Sequence, residues 1–261
     1  MYLVDSHCHL NLLDLTPHEG ELSKAISLAE KQDVKHFLCV AVTLKDHADL
    51  LALTKKYPNI STSVGLHPNE LDIEAEPTET ELIKMADDEK VVAIGETGLD
   101  YYRSTGELNW QRDRFRNHIR AAKKIGKPLI VHSRQAKEDT LTILREEDAQ
   151  SIGGVLHCFT EDWTMASEAL KLNFYISFSG IVTFNNANEI QNVAKIMPLD
   201  RMLIETDSPY LAPIPNRGKP NEPANVRHVA EFIAKLRGIE LSVLAEQTTE
   251  NFFQLFKHAK R

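Results

Sequence analysis

The sequence predicts an α/β fold, a single (β/α)8 TIM-type barrel spanning residues 1–261, and three observations carry that reading. Short β-branched apolar runs, bounded by Gly, Pro or polar residues, alternate with longer amphipathic stretches, as parallel strands alternate with their crossover helices. The chain has 261 residues, close to the roughly 250 such a barrel needs. Histidines and carboxylates recur just after the apolar runs, where such a barrel places its active site. An open doubly wound sheet is the structural competitor on alternation alone.

The chain opens with a strand at Tyr2–Asp5 and a helix at Glu21–Lys31. Next, His36–Val42 leads to Lys45–Tyr57, Ile60–Gly65 to Thr78–Asp88, and Val91–Gly95 to Glu107–Ile125. Pro128–His132 is followed by Ala136–Glu147, Gly154–His157 by Asp162–Leu172, and Phe174–Ser179 by Glu189–Ile196. Met202–Glu205 ends the strands, and two helices follow it, Ala224–Leu236 and Leu241–Phe256. Asp46 and Ser242 are candidate caps, and Gly126 before Pro128 reads as a helix stop. The last helix sets Leu241, Leu244, Ala245, Phe252, Leu255 and Phe256 near one face, an apolar lid over the barrel wall. No linker, low-complexity tract or repeat divides the chain.

Composition bounds the function. With 42% hydrophobic and 26% charged residues, disorder and collagen-like repeats are excluded. Thirty basic against 38 acidic residues leave a net charge of −8, which argues against coating nucleic acid through a bulk positive field but leaves room for a local positive site. No apolar stretch is long enough for a membrane span, and no signal peptide is visible. Cys8, Cys39 and Cys158 lack CxxC spacing and suit a reducing cytosol, so a cytoplasmic location is expected. The mixed acidic surface makes a monomer, with no obligate protein partner, the default.

The strand ends hold the chemistry. Asp5-Ser6-His7-Cys8-His9 closes the first strand; His7 and His9 share a face, about 6.6 Å apart along the chain, while Cys8 points oppositely. His67 follows the third strand, Glu96 the fourth, His132 the fifth, His157 the sixth and Asp207 the eighth. A metal is the simplest common partner for such a set. Imidazoles and carboxylates without thiolates suit Zn, Mn, Fe, Co or Ni, and Mg where carboxylates dominate. His7, His9, Glu96, His132, His157 and Asp207 make six ligands, which exceed one tetrahedral ion and fit two, with a carboxylate bridging; Glu96 comes from the strand midway between the others. Asp207 is placed to accept a proton from water as well as to touch a metal. His18, His36, His47, His118, His228 and His258 read as solvated or packing residues.

These residues match a known family. The chain resembles the TatD-type metal-dependent deoxyribonucleases of the amidohydrolase-like barrels, in their YcfH-type branch. Beyond the opening motif, the match rests on Gly65-Leu66-His67-Pro68, Gly95-Glu96-Thr97-Gly98-Leu99-Asp100-Tyr101-Tyr102, His132-Ser133-Arg134, His157-Cys158-Phe159 and Glu205-Thr206-Asp207-Ser208-Pro209-Tyr210-Leu211. It runs on to Asn251-Phe252-Phe253. Arg217-Gly218-Lys219-Pro220-Asn221-Glu222-Pro223 is similar to the branch's Arg-Gly-Lys-Arg-Asn-Glu-Pro; Pro220 is a departure that removes one phosphate contact, and Ser208 replaces a common Ala. The resemblance implies that His7, His9, Glu96 and Asp207 hold one divalent ion (Mg, Mn or Zn), and Glu96, His132 and His157 a second, with Asp207 the base. It implies cleavage of DNA phosphodiesters, often from the 3′ end of single strands, with DNA a transient partner. His67 then faces substrate, Arg103, Arg134, Arg217 and Lys219 contact phosphates, and Tyr101 or Tyr102 stacks on a base.

Two alternatives share the barrel and the opening motif: hydrolysis of a small ester or amide, and hydrolysis of D-aminoacyl-tRNA esters. Many two-metal barrels of the first kind bridge their ions with a carbamylated lysine at the fourth strand end. Glu96 stands there instead, and Lys90 lies before that strand.

Overall fold

Val, Ile, Leu and Phe fill the eight short runs, so each strand is buried on both faces and must be covered on both. In the computed structural model, which describes residues 1–73 and 75–261, the strands are β1 (Leu3–Cys8), β2 (Val34–Cys39), β3 (Ile60–Val64), β4 (Val91–Asp100), β5 (Leu129–Arg134), β6 (Gly154–Leu156), β7 (Phe174–Phe178) and β8 (Met202–Ile204). They pair in parallel in chain order. The helices between them are α1 (Leu22–Lys31), α2 (His47–Lys56), α3 (Glu79–Met85), α4 (Asn109–Ile125), α5 (Lys137–Glu146), α6 (Trp163–Lys171) and α7 (Asn188–Ile196), and α8 (Val226–Arg237) and α9 (Leu241–Leu255) follow β8. The expected barrel is therefore the fold, nearly closed.

The seam between β8 and β1 is stitched differently from the other seven. The Thr206 N–H and hydroxyl donate to the buried Asp5 carboxylate at 2.9 and 2.6 Å, and Ser6 Oγ donates to Ile204 O at 2.9 Å. Two backbone bonds complete it at the mouth, Asp207 N–H to His7 O and His9 N–H to Ser208 O, at 2.9 and 2.8 Å. Residues of opposite chain ends are thereby fixed side by side.

Alternation along the strands divides the core in two. Val4, Leu38, Val92, Ile130, Val155, Tyr175 and Leu203 turn inward and pack as one buried cluster, whereas Leu3, Phe37, Val91, Leu129, Phe174 and Met202 face the helices. The inner cluster also takes in Phe252, Leu255 and Phe256 of α9. The last helix thus sends its C-terminal aromatics to the lumen residues as well as Leu244 and Ala245 to the outer layer, a more specific role than the wall lid expected from its apolar face.

Two local expectations are corrected. Ser242 lies inside α9, whose N-cap is Glu240; its neighbour Leu241 already begins the helix. Asp46 occupies the N-cap position of α2 as expected, but its carboxylate turns back to accept the Thr43 N–H at 2.9 Å, within a capping box of the preceding 3-10 turn, and makes no side-chain cap bond to α2. Gly126 does end α4, at φ 66°, where a Cβ would be strained. Strand β4 runs to Asp100, five residues past the expected Gly95.

Candidate metal centre

A bulge in β4 creates the centre. Between Ile94, opposite Leu129, and Thr97, opposite Val131, β4 carries one residue more than β5. Such an insertion re-aims a side chain, and here it turns Glu96 into the mouth. Gly95 has φ 147°, and a Cβ on it would sit 2.5 Å from Ile130 O, so only glycine lets the two strands approach this closely.

Glu96 is the hub. Its Oε1 lies 2.8 Å from His157 Nε2, 3.0 Å from His132 Nδ1 and 3.4 Å from His67 Nε2, while Oε2 lies 3.4 Å from His7 Nε2. Asp207 forms the other half, its Oδ1 3.4 Å from His9 Nε2 and 3.7 Å from His7 Nε2. All six expected ligands therefore converge, and the two oxygens of Glu96 face different groups of imidazoles. Cys8 points away, its Sγ 3.5 Å from Leu38 O.

Charge in the centre is deeply polarised. Burial alone would raise the Glu96 carboxyl pKa, but charge on His157 and His67 and hydrogen bonds from His132 and His157 hold it well below the carboxylate range. Asp207 is likewise held low, against burial, by His9 and by charge on His7 and His157. Burial pulls the His9, His132 and His157 pKa values down, yet their carboxylate partners carry each above the ordinary imidazole value. Burial wins at His7, which is lowered, and at His67, lowered to about 4. A divalent cation binding here would displace the imidazolium protons that keep these buried carboxylates ionised.

The donor set fits such a cation. His9 Nδ1–H donates to Val40 O at 2.9 Å, which leaves a lone pair on Nε2 facing His7 Nε2 only 3.3 Å away. Two imidazole nitrogens and a carboxylate oxygen so placed repel one another unless a proton or metal lies among them. His7 Nδ1 and Glu205 Oε2 are buried without a partner.

Around the centre opens a cavity of about 760 Å³. Arg103 and Arg134 line it, with His67, Leu12, Ile181 and Tyr210. Arg134 lies over the exposed Tyr102 ring at 3.9 Å. Arg217 and Lys219 are not among the cavity's described lining residues; Arg217 stacks on Phe184 at 4.3 Å instead. Tyr101 is packed by its hydroxyl against Asp139 and Arg112, leaving Tyr102 the exposed member of the pair.

Comparison with known proteins gives the family and the fold. The family model described as TatD related DNase matches residues 4–257. The chain belongs to this family. Among TatD relatives, a protein of Escherichia coli named as an uncharacterized metal-dependent hydrolase, YcfH, is 49% identical over 98% of this chain and 96% of its own. A Bacillus subtilis protein of the same description, YabD, is 40% identical over 98% and 99%. The crystal structure of YjjV, a TatD homolog of Escherichia coli, superposes with a TM-score of 0.89 at 26% identity, covering 98% of both chains. The protein is accordingly an enzyme, a TatD-type metal-dependent hydrolase. No described helix is long and apolar enough to cross a membrane.

Sequence reasoning passed over the residues that hold this TatD centre in place. Glu205 accepts from His157 Nδ1 and from the Cys158 N–H, at 3.3 and 2.8 Å. Asp100 accepts from His132 Nε2 at 3.1 Å. Helix α4 turns a buried polar stripe toward the loop after β3: Gln111 donates to Pro68 O, Arg114 to His67 O and Glu70 O, and His118 accepts the Leu66 N–H. Gln111, Arg114 and His118 are spaced three and four apart, one helical face, a signal present in the sequence that reads as solvated without knowledge of what the face meets.

Proposed function

We propose that this enzyme hydrolyses DNA phosphodiester bonds, as a 3′–5′ exonuclease acting on single strands, through two divalent ions held at the barrel mouth. His7, His9 and Asp207, with Glu96 Oε2, would hold one ion; His132 and His157, with Glu96 Oε1, would hold the other. The single observation that carries the two-ion reading is the division of Glu96, one carboxylate oxygen toward each imidazole group. Ions in such a site polarise a phosphoryl oxygen and make water acidic near neutral pH.

The chain's own residues supply the rest. Asp207 is the base: its carboxylate is held ionised and opens onto the cavity, where it takes a proton from the attacking water. His67, neutral because of its burial, faces the same space. Arg103 and Arg134 stand on the cavity wall and offer forked donors to phosphate. A few local cations on a chain of net charge −8 give weak, salt-sensitive binding, suited to processing ends.

The test is a time course on end-labelled single-stranded DNA, with chelator-stripped protein given back Mg²⁺, Mn²⁺ or Zn²⁺ separately. Metal-restored shortening from one end is expected, and Asp207→Asn should keep the fold while losing roughly 10²–10⁴ in rate, about 3–5 kcal/mol of barrier. No cleavage with metals demonstrably bound would move the substrate to a small ester or an aminoacyl-tRNA ester. A loss under about threefold in the variant would remove Asp207 from the mechanism.

A further inference from the structure

Four imidazoles surround Glu96, and for His67, His132 and His157 the partner of the outward nitrogen decides what the inward nitrogen can be. His132 Nε2 lies 3.1 Å from Asp100 Oδ2. A carboxylate only accepts, so Nε2 keeps its hydrogen, and in the neutral ring Nδ1, 3.0 Å from Glu96 Oε1, holds the lone pair. His67 is set the opposite way. The Asn69 N–H donates to His67 Nδ1 at 3.0 Å, so the hydrogen sits on Nε2, the nitrogen 3.4 Å from Glu96 Oε1.

Both settings meet at one carboxylate, because Asp100 Oδ2 also accepts from Asn69 Nδ2 at 2.7 Å. Neither side chain is free to turn. Asp100 is 1% exposed, and its Oδ1 accepts the Tyr102 and Arg103 N–H groups at 3.0 and 2.9 Å. Asn69 Oδ1 accepts from the Ser104 hydroxyl at 3.2 Å, which fixes the amide with its nitrogen toward Asp100.

We propose that Asp100 and Asn69 form a positioning unit that sets two rings in opposite senses: His132 as a lone-pair donor to a divalent ion, and His67 as a hydrogen-bond donor to an anionic oxygen of the substrate. The proposal rests on the reading that the centre binds divalent ions. By distance alone His67, Glu96 and His132 form a ligand group, their ligand atoms within 4.8 Å of one another. The Asn69 N–H removes His67 from it, since the nitrogen that faces Glu96 carries hydrogen. Outward partners of metal-bound histidines fix ring tautomer in this way, and their loss costs about 10–100-fold in metal affinity.

Asp100→Asn disturbs the carboxylate that sets His132, and Asn69→Ala is its control. In Asp100→Asn the Tyr102 and Arg103 N–H groups still demand an oxygen, so the new amide nitrogen confronts His132 Nε2–H and Asn69 Nδ2. Calorimetric titration of chelator-stripped protein with Zn²⁺ should show an affinity about 10–100-fold lower. Asn69→Ala removes only the Nδ2 tether to Asp100, leaves both the His132–Asp100 bond and the Asn69 backbone N–H to His67 in place, and should keep zinc affinity within about threefold. Nuclear magnetic resonance of zinc-saturated wild-type protein with isotope-labelled histidine reads the tautomers without any variant. Hydrogen on Nε2 of both His132 and His67, against Nδ1 of His9, is expected. Hydrogen on Nδ1 of His67, or wild-type zinc affinity in folded Asp100→Asn, would overturn the proposal. A protein that shows the zinc pattern but cleaves no DNA keeps this inference and loses only the proposed substrate; one that binds no divalent ion loses both.

Discussion

Acid should destabilise the folded chain through His118, a residue far from solvent and outside the proposed set of metal ligands. His118 is fully buried; its Nδ1–H donates to Arg114 O at 2.8 Å and its Nε2 accepts the Leu66 N–H at 3.0 Å. A second ring proton would point at that N–H, and burial together with the Arg114 charge lowers the His118 pKa to about 4. The unfolded chain, with an ordinary imidazole, therefore binds the proton first. Stability from this residue is complete above about pH 6.5 and drains as pH falls toward about 4. Linkage with those two values gives a loss of about 2 kcal/mol by pH ~5 and about 3 kcal/mol by pH ~4. The assay is urea unfolding of chelated protein at several pH values, for wild type and His118→Gln, whose amide donates and accepts but does not titrate. His36, also lowered to about 4 by burial, and the catalytic imidazoles titrate in both proteins and cancel. At neutral pH the variant should be weaker by about 1–2 kcal/mol. Between pH ~7 and ~5 the wild type should lose about 2 kcal/mol more than the variant, roughly 0.7–1 M in urea midpoint. Parallel curves, within about 0.5 kcal/mol, would refute the reasoning.

Gly98→Ala should cost more than about 3 kcal/mol and depress zinc binding, since at φ 130° its Cβ would lie 2.0 Å from His132 O; thermal unfolding and a metal titration check it. Cys8→Ser should leave activity within about threefold while lowering stability by about 1–2 kcal/mol, because the buried sulfur points between strands, away from the centre; lost metal binding in the folded variant would contradict the strand register. Arg134→Ala should raise KM for an oligonucleotide about tenfold or more, whereas Arg217→Ala should change it less than about threefold, since only Arg134 lines the cavity; equal effects in steady-state kinetics would move the phosphate path.

Much of this molecule is legible along one dimension. Among the described residues the eight strands and nine α-helices announce themselves because period and punctuation are local properties, and the candidate ligands because side chains at strand ends of a barrel share one mouth. His7 and His9 converge as their spacing requires. Arg217 and Lys219 show the limit: a cation in a loop near the mouth is visible, but whether it faces the cavity depends on the loop's path, and Arg217 spends its guanidinium on Phe184.

What the sequence by itself determined is the barrel, the family and the six side chains, Glu96 and five others, that meet at the mouth. Only the tertiary structure decided how those groups are held. The β4 bulge that aims Glu96, the Asp5–Thr206 stitch and the Asp100–Asn69 link are contacts between residues up to 201 positions apart. A hydrogen bond forms only when donor and acceptor approach within about 3 Å along a fixed direction. No residue type or spacing along the chain carries that information; the packed fold alone supplies it.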